Sequence, residues 1–288
     1  MKRIIFFISF ILIILFSIIG YQYFHFYDNK LRLIFCDVGQ GDAIFIKTPG
    51  GSTILVDGGP DKSVLQCLSN HMPFWKRNIS MVILTHPHAD HLQGLLYVFD
   101  RYNVSTFVTE DLKNKTFGYT ELLRKVKENH VASEYVLAGD SMQIGKVWVK
   151  IIGPTEAFLH TTSPNGMIGE NKEFASLETL ISYGTFNALL TGDSQALELQ
   201  DSLNNVGDLP LSILHVPHHG SASGLSREVL SMLNPKLAVI SVGLHNLYHH
   251  PNPFTISLLK EADIPIKRTD HGGEMEIMSD GKSSVSSR

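Results

Sequence analysis

Seven consecutive residues constrain this chain more than any others: Thr85-His86-Pro87-His88-Ala89-Asp90-His91. They directly follow the apolar, strand-like run Met81–Leu84 and precede a helical pattern over Leu92–Tyr102. Three imidazoles and a carboxylate therefore stand on the loop at a strand's carboxyl end. His86 and His88 alternate, so they project to one side of an extended turn, with Asp90 and His91 beside them as the helix begins. Such a cluster of N and O donors matches what borderline divalent metals require. The spacing suits two ions about 3.5–4 Å apart, His86 and His88 on one, Asp90 and His91 on the other. A chance gathering of surface histidines does not explain a cluster set directly against a strand.

Histidine is also the unusual count of the whole chain, 14 in 288 residues. Further clusters again follow apolar runs. Leu189-Leu190-Thr191-Gly192-Asp193 ends a strand in Gly-Asp, where a carboxylate can bridge two cations, although Asp after Gly is also a common turn or cap. Leu211–His215 leads into Val216-Pro217-His218-His219-Gly220. Leu237–Ser241 leads to His245-Asn246-Leu247-Tyr248-His249-His250, either a polar loop or a source of a proton donor and substrate contacts. The net charge of −4 excludes a broad basic face for nucleic acid. The 2 cysteines exclude a disulfide-dense scaffold. Cys36 and Cys67 read as two separate buried thiols.

The first 27 residues are a separate segment. Met1-Lys2-Arg3 precedes Ile4–Ile19, which is Ile, Leu and Phe apart from Ser9 and Ser17, and an aromatic run reaches Tyr27. Residues 4–24 are long enough to cross a bilayer as a helix. Tyr-rich flanks suit the interface, and Lys2 with Arg3 favours a cytoplasmic N-terminus. Without a small-x-small cleavage site we read an uncleaved single-pass anchor, with secretion after signal cleavage as the alternative. Both place residues 28–288 outside the cytoplasm.

From Leu31 onward short strand-like runs alternate with helical ones, and Pro49-Gly50-Gly51 and Tyr183-Gly184-Thr185 punctuate hairpins. The expected class is α/β (α+β), a mixed sheet system covered by helices in one domain, with a frayed Ser-rich tail at 279–288.

The order His86-x-His88-x-Asp90-His91, Asp193, His218-His219 resembles the metallo-β-lactamase (MBL) fold superfamily. The likeness is closer to the extracytoplasmic hydrolase domain of ComEC-type competence proteins. Asp37-Val38-Gly39-Gln40-Gly41-Asp42, Val56-Asp57-Gly58-Gly59, Asn246-x-Tyr248-x-His250-Pro251 and Arg268-Thr269-Asp270 carry that narrower match. The resemblance implies an αββα sandwich with a dinuclear site of Zn or Mn (or Fe) at its edge. It implies His86, His88, Asp90, His91 and His219 as ligands, Asp193 bridging, and His218 beside them. Asp57, Asp42 and Asn246 are supporting groups. Many superfamily members supply another His between the first motif and the bridging Asp. Here His130 and His160 lack a flanking motif, and Asn171 and Ser176 stand near the expected position. True β-lactamases of this fold usually lack the final His of the first motif, here His91, so antibiotic hydrolysis is disfavoured. The sequence reads as a free-standing relative with one anchor.

The chemistry expected is hydrolysis by a hydroxide generated between two metals, with Asp90 orienting it and His250 as leaving-group acid or phosphate contact. Phosphodiester bonds, single-stranded nucleic acid among them, are the favoured substrate. A small ester, thioester or lactone is the enzymatic alternative, and a metal-loaded surface binding module the non-enzymatic one. Lys113, Lys115, Arg124, Lys125 and Lys127 read first as a solvated helix face and second as a binding rim. No protein partner is inferable.

Overall fold

The computed structural model describes residues 2–163, 166, 175–206, 210–282 and 285–287. It opens with α1 (Lys2–Phe26), whose 25 residues rise about 37 Å. That length crosses a hydrocarbon core of about 30 Å.

Eight strands then form one sheet in the order β15-β14-β1-β2-β3-β4-β5-β6. They are β1 (Leu31–Phe35), β2 (Ile44–Lys47), β3 (Thr53–Val56), β4 (Asn78–Ile83), β5 (Asn103–Thr109), β6 (Ala132–Tyr135), β14 (Met275–Ser279) and β15 (Val285–Ser287). Between them come α2 (Ser63–His71), α3 (Ala89–Arg101) and α4 (Phe117–Glu128). The β1–β2 and β2–β3 pairs are antiparallel and β3 to β6 run parallel, so β1 and β3–β6 all point the same way.

The second sheet has the order β13-β12-β11-β10-β9-β8-β7. Its strands are β7 (Ser141–Ile144), β8 (Val147–Gly153), β9 (Glu178–Tyr183), β10 (Phe186–Leu190), β11 (Ile213–His215), β12 (Leu237–Ile240) and β13 (Ile266–Arg268). Helices α5 (Glu156–Thr162), α6 (Ala196–Val206), α7 (Arg227–Leu233), α8 (Pro253–Glu261) and α9 (Thr269–Gly272) are interleaved.

The sequence alternation explains three apolar layers. Odd positions of β1, with Ile44, Ile46, Ile54 and Val56, meet Val147, Val149, Ile181 and Ala188 between the sheets. The other face of the first sheet, Ile34, Phe45, Leu55 and Val82, packs on Leu68, Leu92, Leu95 and Leu122 from α2–α4. The outer face of the second sheet packs on Leu199, Val229 and Leu258 from α6–α8. Helix, sheet, sheet, helix is the αββα arrangement. Each fully buried Leu contributes about 1.5–3 kcal/mol relative to an exposed one.

Three expectations are corrected. Cys36 and Cys67 are not separate thiols but a disulfide, with Cα atoms 5.8 Å apart. The strand-end Cys36 and the helical Cys67 face the same layer between sheet and α2. The end expected to fray contributes β15, antiparallel to β14. Strands β6 and β7, unforeseen from the sequence, edge the two sheets; β6 is exposed throughout, and β7 is a four-residue strand whose alternation rests on Met142 and Ile144 alone. Elsewhere the expected helix at 92–102 begins earlier, so Asp90 and His91 lie in the first turn of α3.

Candidate metal centre

Parallel strands direct their carboxyl ends, and the loops that follow, to one edge of the sandwich. Asp42 follows β1, Asp57 follows β3, and His86 to His91 follow β4; Asp193 follows β10, His219 follows β11, and Ser241 to His250 follow β12. Gly192 is required there. Its φ is +49°, and a Cβ would come within 2.3 Å of Ser176 Oγ, the atom that accepts Asp193 N–H at 3.1 Å. His218 and His219 both hold left-handed backbones, with φ of 52° and 54°, a conformation kept in non-glycine residues when the surroundings over-determine it.

Two groups of donors result, each with ligand atoms within 4.8 Å of one another: Asp90, His91, Asp193 and His219, and separately His86, His88 and Asp193. Asp193 divides between them. Its Oδ1 is 3.2 Å from His91 Nε2 and 3.6 Å from His219 Nε2, while Oδ2 is 3.7 Å from His86 Nε2 and 3.6 Å from His218 Nε2. His219 Nε2 is also 3.3 Å from Asp90 Oδ2.

Asp57 orders both groups. It accepts the Thr85 backbone N–H at 2.8 Å and the Thr85 hydroxyl at 2.7 Å, and faces His91 Nδ1 at 2.8 Å. Because Thr85 Oγ1 donates to Asp57, it accepts from His86 Nδ1 at 3.1 Å. One carboxylate thereby turns Nε2 of both His86 and His91 toward the centre, the arrangement that fixes the tautomer of metal-binding histidines. His219 Nδ1 donates to Ser241 O at 3.0 Å, with Asp42 Oδ1 at 3.3 Å.

These residues fit a pair of divalent ions. His91 Nε2 and Asp193 Oδ1 are buried, 3.2 Å apart, and neither has a hydrogen-bond partner. Electrostatics agree. Burial pushes the Asp193 carboxyl up, but His91, His219 and His86 overcome it and hold it well below its usual range. Burial likewise opposes charge on His91, and Asp193, Asp57 and Asp90 reverse that, raising it well above normal. The carboxylates thus demand positive charge at this point, which ions would supply.

The remaining expected residues fall around this pair. Ser176 supports Asp193 from below rather than standing as a ligand, so the His86–His88 group has three donors and its neighbour four. Asn171 lies outside the described residues. His160 is exposed and pairs with Glu156 at 3.7 Å; neither it nor His130 joins a donor group among the described residues. Asn246 accepts His250 N–H and donates to Gly243 O and His250 O, each at 2.8 Å, which shapes the loop that carries His250. His250, lowered to about 4 by burial and by the neighbouring His218 and His219, lines a cavity of about 450 Å³. Asp90, Gln40, Asn114, Thr116 and Tyr248 line it too, with no Lys or Arg. Sequence reasoning missed Gln40 and Asn114 as cavity residues, and gave no role to His215, whose Nε2 lies 3.0 Å from Ser241 Oγ and 3.5 Å from Asp42. Two of the five basic residues at 113–127 are paired along the helix face, Arg124 with Glu121 and Glu128, and Lys125 with Asp100.

Residues 36–162 match the family model described as the metallo-beta-lactamase superfamily. With the two-sheet αββα arrangement and the paired donor groups, this identifies the architecture as the metallo-β-lactamase fold, with side chains placed to hold metal at its edge. The chain is also homologous to two ComEC-type proteins. ComE operon protein 3 of Bacillus subtilis is 28% identical over 263 residues, covering 83% of this chain and 32% of that protein. Recombination protein 2 of Haemophilus influenzae is 24% identical over 244 residues, covering 84% and 28%. The chain spans less than a third of the length of either relative. Among solved structures, CmlA, a diiron β-hydroxylase from Streptomyces venezuelae, superposes with a TM-score of 0.54 at 17% identity, covering 83% of this chain and 52% of that one. That likeness is one of fold.

Proposed function

We propose that this protein hydrolyses phosphodiester bonds, single-stranded nucleic acid being the favoured substrate, outside the cytoplasm. The observation that carries the reading is the division of the Asp193 oxygens between two donor groups at the floor of an open cleft. Two divalent ions held there (Zn, Mn or Fe) would bring the pKa of a water toward 7 and neutralise charge developing on phosphoryl oxygens. Asp90, whose side chain is 32% exposed and reaches the cavity, would accept a hydrogen bond from such a water and orient it. His250 is neutral at neutral pH, so of its two expected roles it takes the phosphate contact, donating an N–H. Tyr248, 69% exposed and stacked on His250 at 5.9 Å, offers a ring face to a base. With no Lys or Arg in the cleft lining, the ions supply the positive charge that a phosphate needs.

The disulfide supports placement in an oxidising compartment. The full-length chain, assayed with Mn²⁺ or Zn²⁺ on single-stranded DNA, bis-p-nitrophenyl phosphate and a thioester, tests the proposal. We expect turnover of the first two. Turnover of the thioester alone overturns the nuclease reading, and turnover of none points to a metal-loaded binding module.

A further inference from the structure

The end of α1 is built into the domain rather than hung from it. Phe26 is 3% exposed and belongs to the apolar layer under α2–α4. The buried Lys47 Nζ donates to the Phe26 carbonyl at 2.9 Å and pairs with Asp28. From Ser17 to Phe26, α1 forms one wall of a crevice whose other wall is Ser69–Pro73. Gln22 Oε1 accepts the Phe74 backbone N–H at 3.2 Å. The loop between α2 and β4 therefore stands level with the point where the apolar helix ends.

That loop exposes Phe74 by 57% and Trp75 by 39%, their rings edge to face at 4.9 Å. Beside them is a cavity of about 430 Å³ that includes Lys62, Lys76, Arg77 and Arg101 and no acidic side chain. Lys76 lies over the Phe26 ring at 5.5 Å and Arg77 over Tyr102 at 5.8 Å. Among the described residues none of the four cations forms an ion pair. Exposed aromatic rings next to unpaired cations are what a headgroup boundary selects.

We propose that Pro73–Arg77 is a second membrane contact. Phe74 and Trp75 enter the boundary of the leaflet from which α1 emerges, and the cavity beside them takes the phosphate of an anionic phospholipid through Lys76, Arg77 and Arg101. The proposal rests on α1 spanning the membrane and is independent of the hydrolytic reading. Continuity with α1 selects lipid as the occupant, because it brings this face to the bilayer.

The test uses the full chain in nanodiscs. Trp148→Phe leaves Trp75 as the single tryptophan, and Trp75→Phe leaves Trp148, on the outer face of the second sheet, as the control. Phosphatidylcholine and phosphatidylglycerol with brominated acyl chains are compared as quenchers. We expect quenching of Trp75, several-fold stronger with brominated phosphatidylglycerol, and none of Trp148. Lys76→Gln/Arg77→Gln/Arg101→Gln, or Arg101→Gln alone if the triple variant does not fold, abolishes or narrows the preference. Retention in the nanodisc reports on α1 separately. An unquenched Trp75 in a chain that remains nanodisc-bound overturns the membrane contact. Equal quenching by the two lipids overturns the phosphate site.

Discussion

Two regions of this molecule are dense in buried charge, and they differ in how that charge is met. Behind α1, Asp28, Arg32, Lys47 and Glu276 answer one another: Arg32 pairs with both carboxylates, and Lys47 with Asp28 and the Phe26 carbonyl. At the metal-binding edge, Asp193 Oδ1 and His91 Nε2 face each other at 3.2 Å with no hydrogen bond to either atom. A buried charge without a partner is costly. The first region is therefore a structural rivet, its carboxylates and cations paired with one another apart from the buried Arg32 Nε, and the second has its geometry set for a cation from outside.

The largest expected effect breaks the second region. Asp193→Ala removes the one residue shared by both donor groups, so turnover should fall to background and bound metal, read by elemental analysis, should drop, with circular dichroism unchanged. Retained activity would sink the two-ion account. Breaking the rivet should act on stability instead. Lys47→Met strips a cation that is 2% exposed from Asp28 and should lower unfolding free energy by about 3–5 kcal/mol, the range for a broken buried pair, while the metal content of the folded fraction stays unchanged.

A smaller change sharpens the contrast. Asp57→Asn keeps the shape but removes the charge that orients His86 and His91, and should cost about 10–100-fold in metal affinity, measured by chelator competition. If only one ion is weakened, Asp57 does not serve both groups. The mildest effect is one of pH on metal-free protein. Burial raises the Asp28 carboxyl, but hydrogen bonds from Arg32 and Lys47 outweigh it and bring it to about 2. Its contribution to stability is present above the ordinary carboxylate value of 3.8 and is lost as pH falls toward 2. Discounted for its exposure to solvent, the loss is about 1 kcal/mol, and Asp28→Asn should remove that acid dependence.

Legibility from sequence followed distance along the chain. The His86–His91 cluster is local, so its donors and their place after a strand can be read directly. Asp193 and His219 stand at strand ends as weaker candidates, and only family resemblance gives them their roles, because their partners are far away along the chain. The double duty of Asp57 was hidden, because it depends on β3 and β4 lying side by side with Val56 opposite Ile83. The disulfide required knowing that Cys67 in α2 packs over the end of β1. Phe74 and Trp75 acquire meaning only once Gln22 of α1 is found beside them. The solved relative that hydroxylates rather than hydrolyses shows why the fold by itself leaves the reaction open.

The rivet also sets a direction. It holds α1 at the amino ends of β1, β3 and β4, and the histidines stand at their carboxyl ends. Five residues of β1 separate the two by about 16 Å. With α1 in a bilayer, the donor cluster is held a strand's length above the lipid, like a lamp on a post.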